Sequence, residues 1–195
     1  VLRFDCHLHT YPASTCSTMS AEEAIDAAVA AGLDGVVLTE HDKFWDRGDL
    51  EAFVDRYRGQ IKIFNGIEVS CREGHFLVFG LRDCVRGRFD MPVEELIALA
   101  RRDSAAVVVA HPFRFSRDYG QFCYTLDIDG VEIVSSNTSP GAHQMAKKLA
   151  DHKKCFQLTA SDGHAVSSIG RYHTLFPDSI ETIGDLAAFI ISCKE

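Results

Sequence analysis

Short apolar runs rich in Val, Ile and Phe alternate along this chain with segments of helical period. The runs fall at 2–6, 35–39, 61–69, 76–80, 105–110, 130–134 and 156–160. They lack strict polar alternation, as strands buried on both faces of a parallel array do. A further short run at 173–176 predicts an edge strand. Gly66 interrupts the long third run, and the short link from Gly74 to Phe76 predicts a hairpin-like bend within 61–80 rather than a crossover helix. Between the runs lie helices with readable ends. Ser20 and Glu23 form a capping box, and that helix closes at Gly32. Further helices are predicted over 49–59 and 92–103. Another opens at Ser139-Pro140 and runs to Lys153, and the last opens at Thr182 and Asp185 and ends near Cys193. The stretch 113–125 has no clear period and reads as a long loop.

Strand–helix alternation without a linker predicts one α/β domain over 1–195, either a closed barrel or an open doubly wound sheet. Neither G-x-G-x-x-G nor G-x-x-x-x-G-K occurs, so the nucleotide-binding open sheets are unsupported.

Composition narrows the class further. The chain has 195 residues, 46% hydrophobic and 25% charged, with a formal net charge of −8. These values suit a globular domain and exclude disorder. No apolar run approaches the roughly 18–20 residues a membrane-spanning helix needs. The start, Val1-Leu2-Arg3-Phe4-Asp5, lacks the cationic and apolar regions of a signal peptide. The acidic balance argues against an extended nucleic-acid surface. Seven cysteines (Cys6, Cys16, Cys71, Cys84, Cys123, Cys155, Cys193) are scattered singly. With no C-x-x-C pair they read mostly as small buried hydrophobes in a reduced, cytoplasmic protein.

Histidine placement carries the chemistry. Of nine histidines, His7, His9, His41, His75, His111 and His164 sit at or just beyond an edge of an apolar run. Carboxylates accompany them: Glu40-His41-Asp42 follows the second run, Glu68 lies late in the third, and Asp162-Gly163-His164 follows the seventh. In a barrel of parallel strands these ends share one face. Several imidazoles gathered there would repel one another if protonated and would cost several kcal/mol if buried unpaired. Divalent metal resolves the conflict, and mixed N and O ligands without a cysteine pair point to a catalytic site. There are more ligands than one four-coordinate ion uses, so two or three ions are expected, with Glu68 able to bridge a pair.

The ordered motifs Asp5-x-His7-x-His9-Thr10, Thr39-Glu40-His41-Asp42, Gly66-x-Glu68-Val69, Ala110-His111-Pro112 and Ser161-Asp162-x-His164 resemble the PHP (polymerase and histidinol phosphatase) family. The resemblance implies a distorted seven-stranded (β/α) barrel and phosphoester hydrolysis with two or three divalent ions, zinc, manganese or iron. By motif it implies a first ion on His7, His9, Glu68 and Asp162. A second would lie on Glu68, His75 and His111, and a third on His41 and His164. Some family members add a histidine to the third site where this chain has Cys16. Two readings stand for Cys16: a thiolate ligand, or a bystander beside a weak or absent third site.

The expected reaction is in-line attack of metal-activated water on a small phosphorylated metabolite or nucleotide, with His41 and His164 assisting the leaving oxygen. Arg114, Arg171 and Lys43 are the candidate phosphate contacts, and Asp5 is expected to orient a ligand imidazole. Bound ions would turn the mouth of this acidic protein locally positive. The rival readings are an amidohydrolase-type metal hydrolase and a non-catalytic, metal-bound regulatory domain.

Overall fold

The structure is a computed structural model that describes residues 1–82 and 90–194. The expectation for Cys84 lies outside the described residues. Strand β1 (Leu2–Leu8) leads through Ser20, which caps helix α1 (Ala21–Ala30) with the expected Glu23 box, to β2 (Gly35–Leu38). Helix α2 (Arg47–Arg56) begins two residues before Asp49, because Asp46 rather than Asp49 accepts the N–H of Gly48. The third apolar run is two strands, β3 (Lys62–Asn65) and β4 (Ile67–Ser70), parted at Gly66. A Cβ at Gly66 would stand 2.8 Å from Val37 Cγ1, so only glycine lets the chain turn there against β2. β4 then folds back on β5 (His75–Phe79) as an antiparallel pair, the anticipated bend.

Helix α3 (Val93–Asp103), β6 (Ala106–Val109), β7 (Gly130–Val134), α5 (Pro140–Lys153) and β8 (Phe156–Thr159) follow. The segment 113–125 is not a bare loop. It holds a short helix, α4 (Arg117–Phe122), and one 3-10 turn, started by the Ser116 hydroxyl accepting N–H bonds from Asp118 and Tyr119. Six residues are too few to show a helical period. The edge strand β9 (Thr174–Phe176) and helix α6 (Ile183–Ser192) complete the chain.

The fold is the expected α/β unit, but the distorted seven-stranded (β/α) barrel is not confirmed. Among the described residues nine strands make two sheets, ordered β3-β2-β1-β9 and β4-β5-β6-β7-β8, and neither is closed. Both are mixed: β9 runs antiparallel to β1, and β5 runs antiparallel to β4 and β6. The reason is local. The break at Gly66 and the β4–β5 bend reverse one strand, and β9 pairs with β1 on the edge of the smaller sheet. The sheets face one another across a core of Phe4, Val37, Leu77, Phe79, Val108 and Leu158, with Leu186, Ala187 and Ile190 of α6 packed against it. They touch through isolated bridges, Leu8 of β1 with Gly163 beyond β8 and Glu68 of β4 with His41 beyond β2.

The β1–β2 pairing is tight where Phe4 lies opposite Gly35. A Cβ on Gly35 would stand 2.1 Å from the Phe4 ring. Gly35→Ala is therefore expected to destabilise the fold by about 1–3 kcal/mol, read as a lowered denaturant midpoint. An unchanged midpoint would contradict this packing.

Candidate metal centre

The two contacts between sheets bring the motif residues together. His9 N–H donates to Gly163 O at 2.9 Å and Gly163 N–H to His7 O at 3.2 Å. Glu68 N–H donates to Glu40 O at 3.0 Å and Asp42 N–H to Glu68 O at 2.9 Å. His7 and His9, two apart on one extended segment, consequently face the same way as Glu68 and Asp162. Left-handed backbone gathers here as well, at Asp42 (φ 56°), His111 (φ 29°) and Asp162 (φ 49°). Such conformations in residues other than glycine cluster at functional sites because neighbouring bonds must hold them.

Glu68 is the hub. Its side chain is fully buried, and Oε2 lies 3.3 Å from His7 Nε2, 3.0 Å from His9 Nε2 and 3.2 Å from His41 Nδ1. Oε1 lies 3.0 Å from both His75 Nδ1 and His111 Nε2. Asp162 stands across the cluster. Its Oδ2 accepts from Arg114 Nη1 at 3.0 Å and Asn137 Nδ2 at 2.9 Å, while Oδ1 lies 3.4 Å from His7 Nε2 and 3.5 Å from His9 Nε2. His164 joins through its ring, 4.6 Å centre to centre from that of His9, and His41 stacks on His9 at 4.3 Å.

Electrostatics follow from burial and this crowding. Burial alone would raise the Glu68 carboxyl, but the His7 charge and hydrogen bonds from His111, His7 and His75 outweigh it and hold the group well below the usual range. Burial also pulls His7 down, yet the Glu132, Asp162 and Glu68 carboxylates hold it well above the ordinary imidazole value. Burial lowers His41 to about 4 and also lowers His164, so both rings are neutral at pH 7 and free to offer a lone pair.

This donor set fits divalent metal. Three imidazole nitrogens meet one carboxylate oxygen, and Nε2 of His7 and His9 stand only 3.1 Å apart. Hydrogen bonds alone would place N–H groups or like charges against each other there. His9 Nδ1 and His111 Nδ1 are buried without a hydrogen-bond partner among the described residues. Among the described residues, four sets of ligand atoms lie within 4.8 Å of one another: His7/His9/Asp162, His7/Glu68/His111, His41/Glu68/His75 and His9/His41/His164.

All eight residues expected as ligands thus converge. Cys16 is exposed and joins none of the four sets, and burial raises its thiol above the ordinary value. Arg114 reaches the cluster, with its guanidinium 4.6 Å over the exposed ring of Phe115. Arg171 is exposed and Lys43 half-buried, and neither forms an ion pair among the described residues. Asp5 meets backbone rather than an imidazole: its Oδ1 accepts from Ser161 N–H at 3.0 Å and His7 N–H at 3.4 Å. The ring of His7 is instead met by Glu132, whose Oε1 lies 2.8 Å from Nδ1. Glu132 and Asn137 did not stand out in the sequence. A lone carboxylate inside the apolar run 130–134 was the available signal for Glu132, and Asn137 had none. Glu40 is a clamp, accepting from Thr10 N–H and hydroxyl and from Trp45 Nε1–H at 2.9 Å.

Burial raises Asp5 to about 6 against an ordinary 3.8, and its Oδ2 has no hydrogen-bond partner among the described residues. The folded state therefore binds this proton more tightly than the unfolded chain, so Asp5 favours folding at low pH and loses that advantage as pH rises from about 4 through about 6. In chelator-treated protein Asp5→Asn is expected to stabilise the fold by up to about 3 kcal/mol at pH 7. The difference in melting temperature should vanish below pH 4, and a pH-independent difference would contradict the assignment.

Comparison with known proteins places this geometry in a family. The PHP domain family matches residues 5–109, and a family described as PHP-associated matches residues 140–192. No curated protein sequence matches the chain. Similar solved structures include a candidate metal-dependent phosphoesterase from Bifidobacterium adolescentis, with 14% identity, TM-score 0.66 and coverage of 98% of this chain and 96% of that one. An amidohydrolase from Chromobacterium violaceum, solved with bound sulfate and no metal, has 16% identity, TM-score 0.69 and coverage of 95% and 96%. A lesion-specific endonuclease from Pyrococcus furiosus has 18% identity and TM-score 0.67 over 98% of this chain, which spans 56% of that enzyme. At these identities the likeness to solved structures concerns the fold. The family match covers more than half of the sequence, and the chain belongs to the PHP domain family.

Proposed function

We propose that this protein is a metal-dependent phosphoester hydrolase acting on a small phosphorylated metabolite or nucleotide. The observation that carries the reading is Glu68, a buried carboxylate ringed by imidazole nitrogens of His7, His9, His41, His75 and His111 at 3.0–3.3 Å. One ion would be held by His7, His9, Asp162 and Glu68, a second by Glu68, His75 and His111, and a third by His41 and His164 beside His9. Zinc, manganese and iron all accept this donor set. Cys16 would reach the third position only by moving from the place described above. Divalent ions held here would supply Lewis acidity, lowering the pKa of water and offsetting charge on the phosphoryl oxygens.

The chain's own groups complete the site. Arg114, held over Phe115 with Nη1 on Asp162, presents a planar guanidinium suited to two phosphoryl oxygens. Asn137 also holds Asp162 Oδ2, so that carboxylate stays oriented when Arg114 turns to substrate. Lys43 and Arg171 are the further cations available to an anionic substrate. The lowered proton affinities of His41 and His164 suit metal binding better than proton donation to the leaving oxygen. Amide hydrolysis is the second reading, favoured by the C. violaceum amidohydrolase among the structural neighbours. A reducing cytoplasmic setting suits the free cysteines Cys6, Cys16, Cys71, Cys123, Cys155 and Cys193.

Purified protein supplied with manganese, zinc or iron is expected to hydrolyse p-nitrophenyl phosphate or a nucleotide phosphate, and chelator should abolish turnover reversibly. His9→Ala and Asp162→Ala should each lower turnover by at least ~100-fold without unfolding the domain. Arg114→Ala should raise KM about tenfold or more, since a hydrogen bond to a charged group is worth about 1.5–3 kcal/mol. Activity on amides or lactams alone would favour the second reading. Full activity in both ligand variants would overturn the centre.

A further inference from the structure

Glu132 lies in β7, carries a charge into an apolar strand and is almost completely buried. Both of its oxygens are occupied. Oε1 faces His7 Nδ1 at 2.8 Å, and Oε2 accepts the backbone N–H of His111 at 2.7 Å. We infer that Glu132 is the positioning residue of the metal centre, a single carboxylate that fixes a histidine of each Glu68-sharing ion through two separate bonds. The inference rests on the proposal that the cluster binds divalent metal.

A carboxylate only accepts, so the proton of His7 facing Glu132 resides on Nδ1. A bound ion would displace the proton on Nε2, the nitrogen left to coordinate, which points at Glu68, His9 and Asp162. The second oxygen acts on His111 through the backbone. That residue sits at φ 29°, where few L residues rest, and its N–H is tied to Glu132 while its Nε2 reaches Glu68 Oε1. Stacking of the His7 and His111 rings, 5.8 Å between centres, leaves the two side chains little independence. Glu132 need not touch substrate or metal to act. Removing its second acceptor would let one histidine turn.

Glu132→Gln tests this with almost no change of shape. An amide has one oxygen where the carboxylate has two, so it cannot accept from both His7 Nδ1–H and His111 N–H. The metal-free protein can relax by giving up the Nδ1 proton of His7 and keeping the one on Nε2, but the metal-loaded protein could not, because Nε2 would be the ligand. Calorimetric titration with zinc of chelator-treated wild-type and E132Q protein is expected to show affinity weakened 10–100-fold in the variant, with nearly unchanged melting of the metal-free forms. Equal affinity would overturn the inference, as would a lowered melting temperature with affinity intact, the mark of a purely structural carboxylate. Wild-type protein that binds no zinc would overturn the metal reading and this inference with it. Should E132Q not fold, zinc-loaded wild-type protein with ¹⁵N-labelled histidine gives the answer. A His7 Nδ1–H signal protected from exchange supports the role of Glu132, and coordination of zinc through His7 Nδ1 refutes it.

Discussion

A carboxylate withdrawn from water must be met by positive charge or by N–H donors, because its desolvation costs several kcal/mol. Glu68 is fully withdrawn, and the centre is arranged to meet that demand. The residues that answer it are drawn from far apart in sequence: His7 and His9 from β1 and its extension, His41 from beyond β2, His75 from the start of β5 and His111 from beyond β6. No local segment could supply them. The same demand explains why the chain breaks at Gly66, where β4 must turn away from β3 to carry Glu68 to the contact with the smaller sheet.

The centre therefore sits where two sheets meet rather than inside either. Backbone bonds cross from Glu68 to Glu40 and from His9 to Gly163, and side chains reinforce both crossings. Glu40 gathers Thr10 and Trp45 on one side, Asp42 Oδ1 accepts the N–H of Ser70 at 2.7 Å, and Asp5 ties His7 to Ser161. These carboxylates do not belong to the ligand sets. They hold the backbone that aims the candidate ligands, and with Glu132 they form an outer layer of the kind metal affinity depends on.

Much of this was legible in the sequence because ligand-type residues recur just past apolar runs, a pattern that survives any arrangement of those runs. That pattern gathers the six histidines with Glu40, Asp42, Glu68 and Asp162, and the resemblance to the PHP family singles out His7, His9, His41, Glu68, His75, His111, Asp162 and His164. Sheet closure could not be read there: the bend that reverses β5 was legible, but the antiparallel pairing of β9 with β1 at the edge of a separate four-stranded sheet depends on the fold. Helix α4 escaped notice through its length, and Asn137 because a loop amide carries no pattern. Glu132 was visible as a charge in an apolar strand, yet its partners lie far off in sequence and only the fold reveals them.

The central claim is that the imidazoles around Glu68 are assembled to hold divalent cations. Its most direct test is metal stoichiometry and affinity in chelator-treated protein, measured by titration with zinc or manganese for the wild type beside Glu68→Gln. The account predicts at least two ions per wild-type chain and the loss or marked weakening of two in the variant, since Glu68 would be shared between sites. Wild-type protein that stays folded and takes up no ion, or a variant that binds as the wild type does, would contradict it.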